Sequence, residues 1–256
     1  MSVLSYLTDR ASYAVLSTIE KSSIDTSIAT LKNRLAAHFK AEVIKREFRF
    51  GSSTRGTILP RALDEQSDID YMIVFADSQY TPQTYIAWLK RFAEARYGTS
   101  EIYQSHPTIV LQLNHIKFDL VPATESWFNG LQIPAGSSWI STNPNDVNET
   151  LETANKNNAS LIKPTIRLFK YWNATAGYPY LSFKAEKWIT SLFYWGCNNQ
   201  KDYFFNAFDN LSTGGSVKWI DAEVVRAKSI IARTRQYEKD DMPASAENEI
   251  RKLFRE

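Results

Sequence analysis

Residues 48–75 of this chain read FRFGSSTRGTILPRALDEQSDIDYMIVF, and this stretch decides the fold. Residues 47–50 and 69–75 are rich in aromatic and β-branched side chains, which predicts a pair of β-strands. Gly51 and Ser52 end the first strand, where glycine can adopt positive φ and a hydroxyl beside backbone amides suits phosphate oxygens. The stretch therefore predicts a strand, a phosphate-binding turn, a polar loop and a second strand.

The second predicted strand opens with two aspartates that face the same way. Side chains alternate along a strand, so Asp68 and Asp70 project from one face while Ile69 enters the core. Two carboxylates at this separation repel each other unless a cation lies between them, and Mg²⁺ prefers such hard oxygen ligands together with substrate phosphates. An Asp-x-Asp at a strand edge is also common as a solvated turn, so a metal site requires a further ligand.

A third aspartate supplies that ligand from a later predicted strand, residues 116–121. Alternation places Lys117 and Asp119 on one face of this strand, and Phe118 and Leu120 on the other. Three carboxylates from two strands beside a glycine turn are typical of a two-metal site for phosphoryl transfer. The three aspartates are therefore the predicted catalytic and metal-binding residues.

Composition limits the class of protein. The chain has 256 residues, with 43% hydrophobic and 23% charged, which is typical of one large globular domain or of two lobes. A net charge of +2 argues against strong nucleic-acid binding. The single cysteine, Cys197, allows no intramolecular disulfide, and we find neither a signal peptide nor an apolar run long enough to span a membrane. We expect a cytoplasmic monomer that binds no membrane.

The segments around the central stretch are predicted to be mainly helical. Residues 1–45 contain two runs with apolar positions at helical spacing, and Asp25 or Thr26 can cap the second run. The pattern breaks into Trp, Gly, Pro, Ser and Asn over residues 122–144, which predicts a connector. The remainder is predicted to be helical, with Pro164 bending or restarting one long helix.

The quoted residues resemble a known signature. Gly51-Ser52, Asp68-Ile69-Asp70 and Asp119 resemble the polymerase-β-type nucleotidyltransferases. The sequence LFKYWN at 168–173, then Ser182-Phe183 and Glu186, is similar to the C-terminal half of oligoadenylate synthases and cyclic GMP-AMP synthase. From about residue 48 to 186 the chain is similar to their bacterial relatives, the CD-NTases, which make cyclic oligonucleotide signals in anti-phage defence. It departs from them in its loop 53–67, which is slightly longer than usual.

This resemblance implies the fold and the domain organisation. The fold class is α+β, with a polymerase-β-like nucleotidyltransferase core, in which helices flank a mixed sheet, and a C-terminal helical lobe. Residues 1–45 are then N-terminal bracing helices and residues 46–140 the catalytic core. Residues 141–256 form the helical lobe that closes the nucleotide cleft.

The resemblance also implies an activity. The enzyme would join ribonucleoside triphosphates into a cyclic di- or oligonucleotide second messenger and release pyrophosphate. Asp68, Asp70 and Asp119 would hold two Mg²⁺ ions, for which Mn²⁺ could substitute, and Asp119 would help to deprotonate the attacking ribose hydroxyl. The implied partners are nucleoside triphosphates and, through the product, a downstream cyclic-nucleotide effector.

Nucleotide-binding residues follow from the same resemblance. Gly51, Ser52, Lys170 and Ser182 would contact the triphosphate, and Phe183 would stack on a base. The residues by themselves leave an alternative for two of these positions. Lys170 could be a surface lysine whose stem packs along its helix, and Phe183 could pack in the core.

Two other enzyme classes use the same acids and stay open at this point. A terminal RNA nucleotidyltransferase would be expected to carry a longer basic track than a net charge of +2 provides. A protein-modifying enzyme of the same superfamily would transfer AMP or another nucleotide to a partner protein. Both differ from a cyclic oligonucleotide synthase in the molecule whose hydroxyl or amine receives the nucleotide.

Overall fold

The computed structural model describes residues 2–128, 130–144, 146–215 and 217–255. The elements in chain order are α1 (Val3–Tyr13), α2 (Thr18–His38), β1 (Ile44–Arg49), α3 (Ser52–Arg55), β2 (Asp68–Phe75), α4 (Pro82–Arg96), β3 (Glu101–Ser105), β4 (Thr108–Gln112), β5 (Lys117–Ser126), β6 (Gly130–Ala135), β7 (Ser138–Ser141), α5 (Asp146–Asn157), α6 (Ile162–Thr175), α7 (Ser182–Ser191), α8 (Gln200–Asp209), α9 (Lys218–Lys239) and α10 (Pro243–Arg251).

The chain forms two compact units, which we call the sheet unit and the helical unit. The sheet unit comprises Ser17–Arg61 and Gln66–Asn148. The helical unit comprises Met1–Leu16, Ala62–Glu65 and Glu149–Glu256. The α+β fold predicted from the sequence is confirmed, because a mixed sheet flanked by helices is followed by a mainly helical region.

The sheet unit is built on one mixed β-sheet. Its strand order is β1-β2-β5-β4-β3, with β6 pairing with β5 and β7 pairing with β6. Strands β2 and β5 are parallel, and the other pairs are antiparallel. The predicted pairing of the two strands in the central stretch is therefore confirmed.

The two central strands change character along their length. In β2 every residue from Tyr71 to Phe75 is buried, and in β5 every residue from Leu120 to Thr124 is buried. Strands that are covered on both faces have continuous runs of apolar residues. Here α4 covers one face with Tyr85, Leu89 and Phe92. The first residues of both strands extend beyond this cover, which leaves their polar side chains accessible at one end of the sheet.

The region predicted as a connector, residues 122–144, contains two further strands, so that prediction is wrong. Strand β5 continues to Ser126, and β6 and β7 form a hairpin that adds to it. The turn of this hairpin includes Gly136 at φ +65°, a conformation that glycine adopts without strain. The small and turn-forming residues therefore mark tight turns between short strands.

Helix α2 begins at Thr18, well before the predicted caps Asp25 and Thr26. Ser17 and Glu20 form a capping box, in which the Ser17 hydroxyl accepts from the Glu20 amide and the Glu20 carboxylate accepts from the Ser17 amide. This reciprocal arrangement satisfies the backbone N–H groups of both residues at the helix start. It explains why the helix starts there.

The first 45 residues are divided between the two units. Helix α1 packs on α6, α8 and α10 of the helical unit, and α2 packs on α4 of the sheet unit. The apolar face of α1, with Tyr6 and Leu7, is buried. This division differs from the predicted three segments because each helix belongs to the unit whose core its apolar face contacts.

The helical unit has an aromatic core. Trp172 and Phe208 lie edge to face with centroids 4.8 Å apart, and Phe169 lies 5.1 Å from Trp172. Pro164 is in the first turn of α6, where its missing N–H has no helical partner, so the predicted helix restart is confirmed. No helix in the described residues has the length and apolarity needed to cross a lipid bilayer.

Candidate active site

The three predicted catalytic aspartates lie together at the start of β2 and β5. In the parallel pairing of these strands Asp70 is the register partner of Asp119, and Asp68 is the partner of Lys117. Neighbouring strands lie about 4.8 Å apart, and residues in register point to the same face. The predicted alternation is confirmed, because Ile69 is buried in the core while all three aspartates are half-buried.

Gly51 brings the backbone against one of these carboxylates. Its φ is +73°, and the Phe50 amide just before it donates to the Asp70 carbonyl oxygen at 3.0 Å. A Cβ atom on residue 51 would lie 1.8 Å from Asp70 Oδ2. Only glycine fits here, for reasons of both space and conformation. Ser52 begins α3 at the same turn, so the glycine-serine turn and the acids occupy one location.

Asp119 has an unusual electrostatic environment. Burial and the negative charge of Asp68 raise its pKa to about 6 from 3.8, although Lys117 acts in the opposite direction. Its Oδ1 atom is buried and, within the described residues, has no hydrogen-bond partner. A buried carboxylate oxygen of this kind is costly unless something binds it. The site therefore offers an oxygen ligand to which no group in the described part of the chain donates.

Lys117 supplies the positive charge at this site. Its Nζ atom lies 3.2 Å from Asp68 Oδ2. Burial alone would lower the pKa of Lys117, but the carboxylates of Asp68 and Asp119 outweigh it and raise the pKa. The sequence placed Lys117 on the same strand face as Asp119, and we assigned it no role there. The Lys-x-Asp alternation in residues 117–119 is the signal that could have indicated one.

These side chains fit a divalent cation in their chemistry. Carboxylate oxygens are the ligands that Mg²⁺ and Mn²⁺ prefer, and the buried Asp119 Oδ1 lies among them. In their present positions the described residues contain no cluster of three or more His, Cys, Asp or Glu side chains arranged around a common metal position. Asp68 turns instead towards Lys117. The donor set is thus suitable, and one donor is engaged by an ammonium group.

A second basic residue lies close to these strands. The amide oxygen of Gln112, oriented to satisfy its hydrogen bonds, accepts from Arg61 at 2.7 and 3.1 Å. Gln112 is the register partner of Lys117 on β4. Arg61 and Arg55 both belong to the loop 53–67, where arginines are usually solvated, but Arg55 is buried. Only the fold brings these cations to their positions.

The other predicted nucleotide-binding residues lie in the helical unit. Lys170 on α6 is buried, and its Nζ atom lies 3.2 Å from Oε1 of Glu186 on α7. Lys170 is therefore not a solvated surface residue. Ser182 is the first residue of α7, and Phe183 is 50% exposed, so Phe183 is not a core residue. Their contacts with nucleotide stay predictions.

A family comparison covers more than half of the chain. Residues 1–155 match the model of the Second Messenger Oligonucleotide or Dinucleotide Synthetase domain. None of the curated proteins matches the sequence significantly.

Solved structures resemble the whole chain at low sequence identity. The structure of the E. coli MS115-1 CdnC:HORMA-deltaN complex has a TM-score of 0.73 and 14% identity, covering 100% of this chain and 99% of that chain. Bradyrhizobium diazoefficiens CD-NTase CdnG in complex with GTP has a TM-score of 0.69 and 9% identity, covering 96% of both chains. Vibrio cholerae DncV cyclic AMP-GMP synthase, in complex with the linear intermediate 5' pppA(3',5')pG, has a TM-score of 0.66 and 11% identity, covering 82% of this chain and 68% of that chain. These likenesses show a shared fold.

Proposed function

Because the chain belongs to the Second Messenger Oligonucleotide or Dinucleotide Synthetase family, we propose that it joins ribonucleoside triphosphates into a cyclic di- or oligonucleotide and releases pyrophosphate. It is a nucleotidyltransferase of the bacterial CD-NTase type, as the sequence predicted. The observation that carries the proposal is the parallel register of β2 and β5. That register sets Asp70 opposite Asp119, with Gly51 pressed against the Asp70 carboxylate.

The proposal includes divalent metal ions, which proteins of this family generally use. We assign two Mg²⁺ ions to Asp68, Asp70 and Asp119, with Mn²⁺ as a substitute. When bound, such ions neutralise phosphate charge and make the attacking hydroxyl more acidic. The support in this chain is the set of carboxylate oxygens at one end of the sheet, including the buried Asp119 Oδ1.

Asp119 is the proposed acceptor of the reacting proton. A ribose hydroxyl attacks the α-phosphate in line, its proton passes to Asp119, and pyrophosphate leaves. In the metal-free protein the pKa of Asp119 is raised to about 6, so its carboxylate is ionised near neutral pH and available to accept a proton. The half-buried position of Asp119 also removes part of the competing water.

Five residues are proposed to hold the nucleotide. Gly51 and Ser52 present backbone amides and a hydroxyl to phosphate oxygens. Lys170 and Ser182 are proposed to contact the triphosphate, and Glu186 holds the Lys170 amine in a fixed position. The exposed ring of Phe183 is suited to stacking on a base.

A second attack by the linear product would close the ring. The DncV structure contains a linear intermediate, which supports a route through a linear product in this protein as well. We place the product in anti-phage signalling through a downstream effector, which is the role of the CD-NTases that the sequence resembles. The same resemblance supports a cytoplasmic enzyme.

The product decides between the three enzyme classes. The purified protein is incubated with the four ribonucleoside triphosphates and Mg²⁺, treated with phosphatase, and analysed by mass spectrometry. We expect a phosphatase-resistant small product that is absent with the Asp70→Asn variant. An extended RNA would instead support a terminal nucleotidyltransferase, and a mass shift on a protein would support a protein-modifying enzyme.

A further inference from the structure

The acid site already contains a cation that belongs to the chain. Asp68 and Asp119 lie diagonally across the neighbouring strands β2 and β5. The negative charge of Asp68 helps to raise the pKa of Asp119, so the two ionised carboxylates repel each other. The ammonium group of Lys117 lies 3.2 Å from Asp68 Oδ2, and its side chain is only 17% exposed. The charge of Asp68 is therefore compensated without any metal ion.

The strands hold this ammonium group in place. Lys117 projects from the same face as Asp68, because the two residues are register partners on parallel strands. On its other side Lys117 faces Gln112 of β4, whose amide oxygen is engaged by Arg61. The Lys117 side chain therefore turns towards the carboxylate.

We propose that Lys117 is a positioning residue that holds Asp68 in the metal-free protein, and that a divalent cation binds by displacing the Lys117 ammonium group from Asp68. This inference rests on the metal site of the proposed function. It adds that the Lys117 side chain competes with the metal ion for Asp68.

Charge makes the two states mutually exclusive. A divalent cation ligated by Asp68 and an ammonium group at 3.2 Å from the same carboxylate would repel each other strongly at the low effective dielectric constant of a half-buried site. Asp119 adds a negative charge that the divalent cation neutralises more completely than a single ammonium does. Lys117 thus fills the site in the absence of metal and weakens the affinity for metal.

Metal binding without nucleotide tests this competition directly. We would titrate the full chain with Mn²⁺ and measure free Mn²⁺ by electron paramagnetic resonance, for the wild type and for Lys117→Met. Loss of one charged contact predicts that Lys117→Met binds Mn²⁺ about 10- to 100-fold more tightly. Its Tm without metal should be lower than that of the wild type, and its rise in Tm on adding Mn²⁺ should be larger.

Two variants serve as controls, and a third replaces the test variant if it does not fold. Lys90→Met removes a lysine from an exposed pair with Glu94 in the same unit, and its affinity for Mn²⁺ should equal that of the wild type. Lys117→Arg keeps the positive charge and should restore weak binding. Lys117→Gln replaces Lys117→Met if circular dichroism shows that the methionine variant is unfolded.

The outcomes separate the inference from the proposed function. If neither the wild type nor Lys117→Met binds more Mn²⁺ than Asp70→Asn does, the metal site and the proposed function fail together. If the wild type binds Mn²⁺ and the Lys117 variants bind it equally or more weakly, the competition is refuted while the proposed function stands.

Discussion

Two lysine–carboxylate pairs in this protein have the same length and different surroundings. Lys117 lies 3.2 Å from Asp68 in the sheet unit, with side chains 17% and 28% exposed. Lys170 lies 3.2 Å from Glu186 in the helical unit, with side chains 6% and 1% exposed. The two pairs have the same N–O distance but differ in their exposure to solvent.

The two pairs also differ in the charges next to them. Beside the first pair lies a further carboxylate, Asp119, so that end of the sheet carries more negative charge than Lys117 alone compensates. The second pair is almost closed to water, and removing either charge leaves the other buried. The comparison teaches that a half-open pair beside excess negative charge can exchange partners, whereas a closed pair mainly fixes its helices.

The largest effect is expected from an acid of the open site. Asp70→Asn removes a proposed metal ligand, and we expect pyrophosphate release to fall about 10³-fold or more, comparable with loss of a major electrostatic contribution to the transition state. Steady-state release of pyrophosphate with Mg²⁺ measures it, and circular dichroism confirms folding. Substantial turnover by the folded variant would contradict the assignment of this acid.

An acid of the closed pair should affect stability more than chemistry. Glu186→Gln leaves the Lys170 ammonium group buried without its carboxylate, and we expect a loss of about 3–5 kcal/mol in the free energy of unfolding. Urea denaturation measures this loss. The matched control is Glu94→Gln in the exposed pair with Lys90, where the change should stay below about 1 kcal/mol. Equal losses in both variants would show that burial does not strengthen the Lys170–Glu186 pair over an exposed one.

Asp119 makes the open site sensitive to pH. Its pKa is raised to about 6 from 3.8 in the fold, so ionisation destabilises the metal-free protein by up to about 3 kcal/mol at 1.4 kcal/mol per pKa unit. The penalty is absent below about pH 4, grows as the pH rises, and is complete above about pH 6. In EDTA, Asp119→Asn should therefore have a higher Tm than the wild type at pH 7.5, with the gain vanishing towards pH 4. A difference in Tm that does not change with pH would exclude this origin.

The smallest effect concerns substrate affinity in the closed pair. Lys170→Met combined with Glu186→Gln removes both charges, which avoids leaving one of them buried and unpaired. If Lys170 contacts the triphosphate, KM for nucleotide should rise about 10- to 100-fold while kcat changes little. Steady-state kinetics on the double variant and on Glu186→Gln alone separate the two roles. An unchanged KM in the double variant would leave this pair a purely structural role.

Much of the candidate active site could be predicted from local patterns. The period-2 alternation placed Asp68 and Asp70 on one face of β2, and Asp119 with Lys117 on one face of β5, and the structure agrees. The glycine-serine turn beside the acids was predicted from the residue types alone, and Gly51 adopts the expected positive φ. These features succeed because they depend on neighbours within a few residues.

The failures arose where a distant partner decides the structure. The turn-rich residues 122–144 form the end of β5 and a hairpin, since β5 supplies the edge on which β6 pairs. The residues by themselves left a surface position open for Lys170, and only the packing of α7, which brings Glu186 beside it, excludes that alternative. Short apolar strands and helix faces carry too little local signal to reveal such partners.

The sequence by itself determined the residue types of this enzyme: the acids at period 2, the glycine turn before them, and the amphipathic helices around them. Only the tertiary structure decided which charges meet. The parallel register of β2 and β5 pairs Lys117 with Asp68, and the packing of α6 against α7 buries Lys170 with Glu186. Side-chain direction follows from the local backbone, whereas the interaction of two charges depends on a distance and a degree of burial that arise only when remote segments pack together.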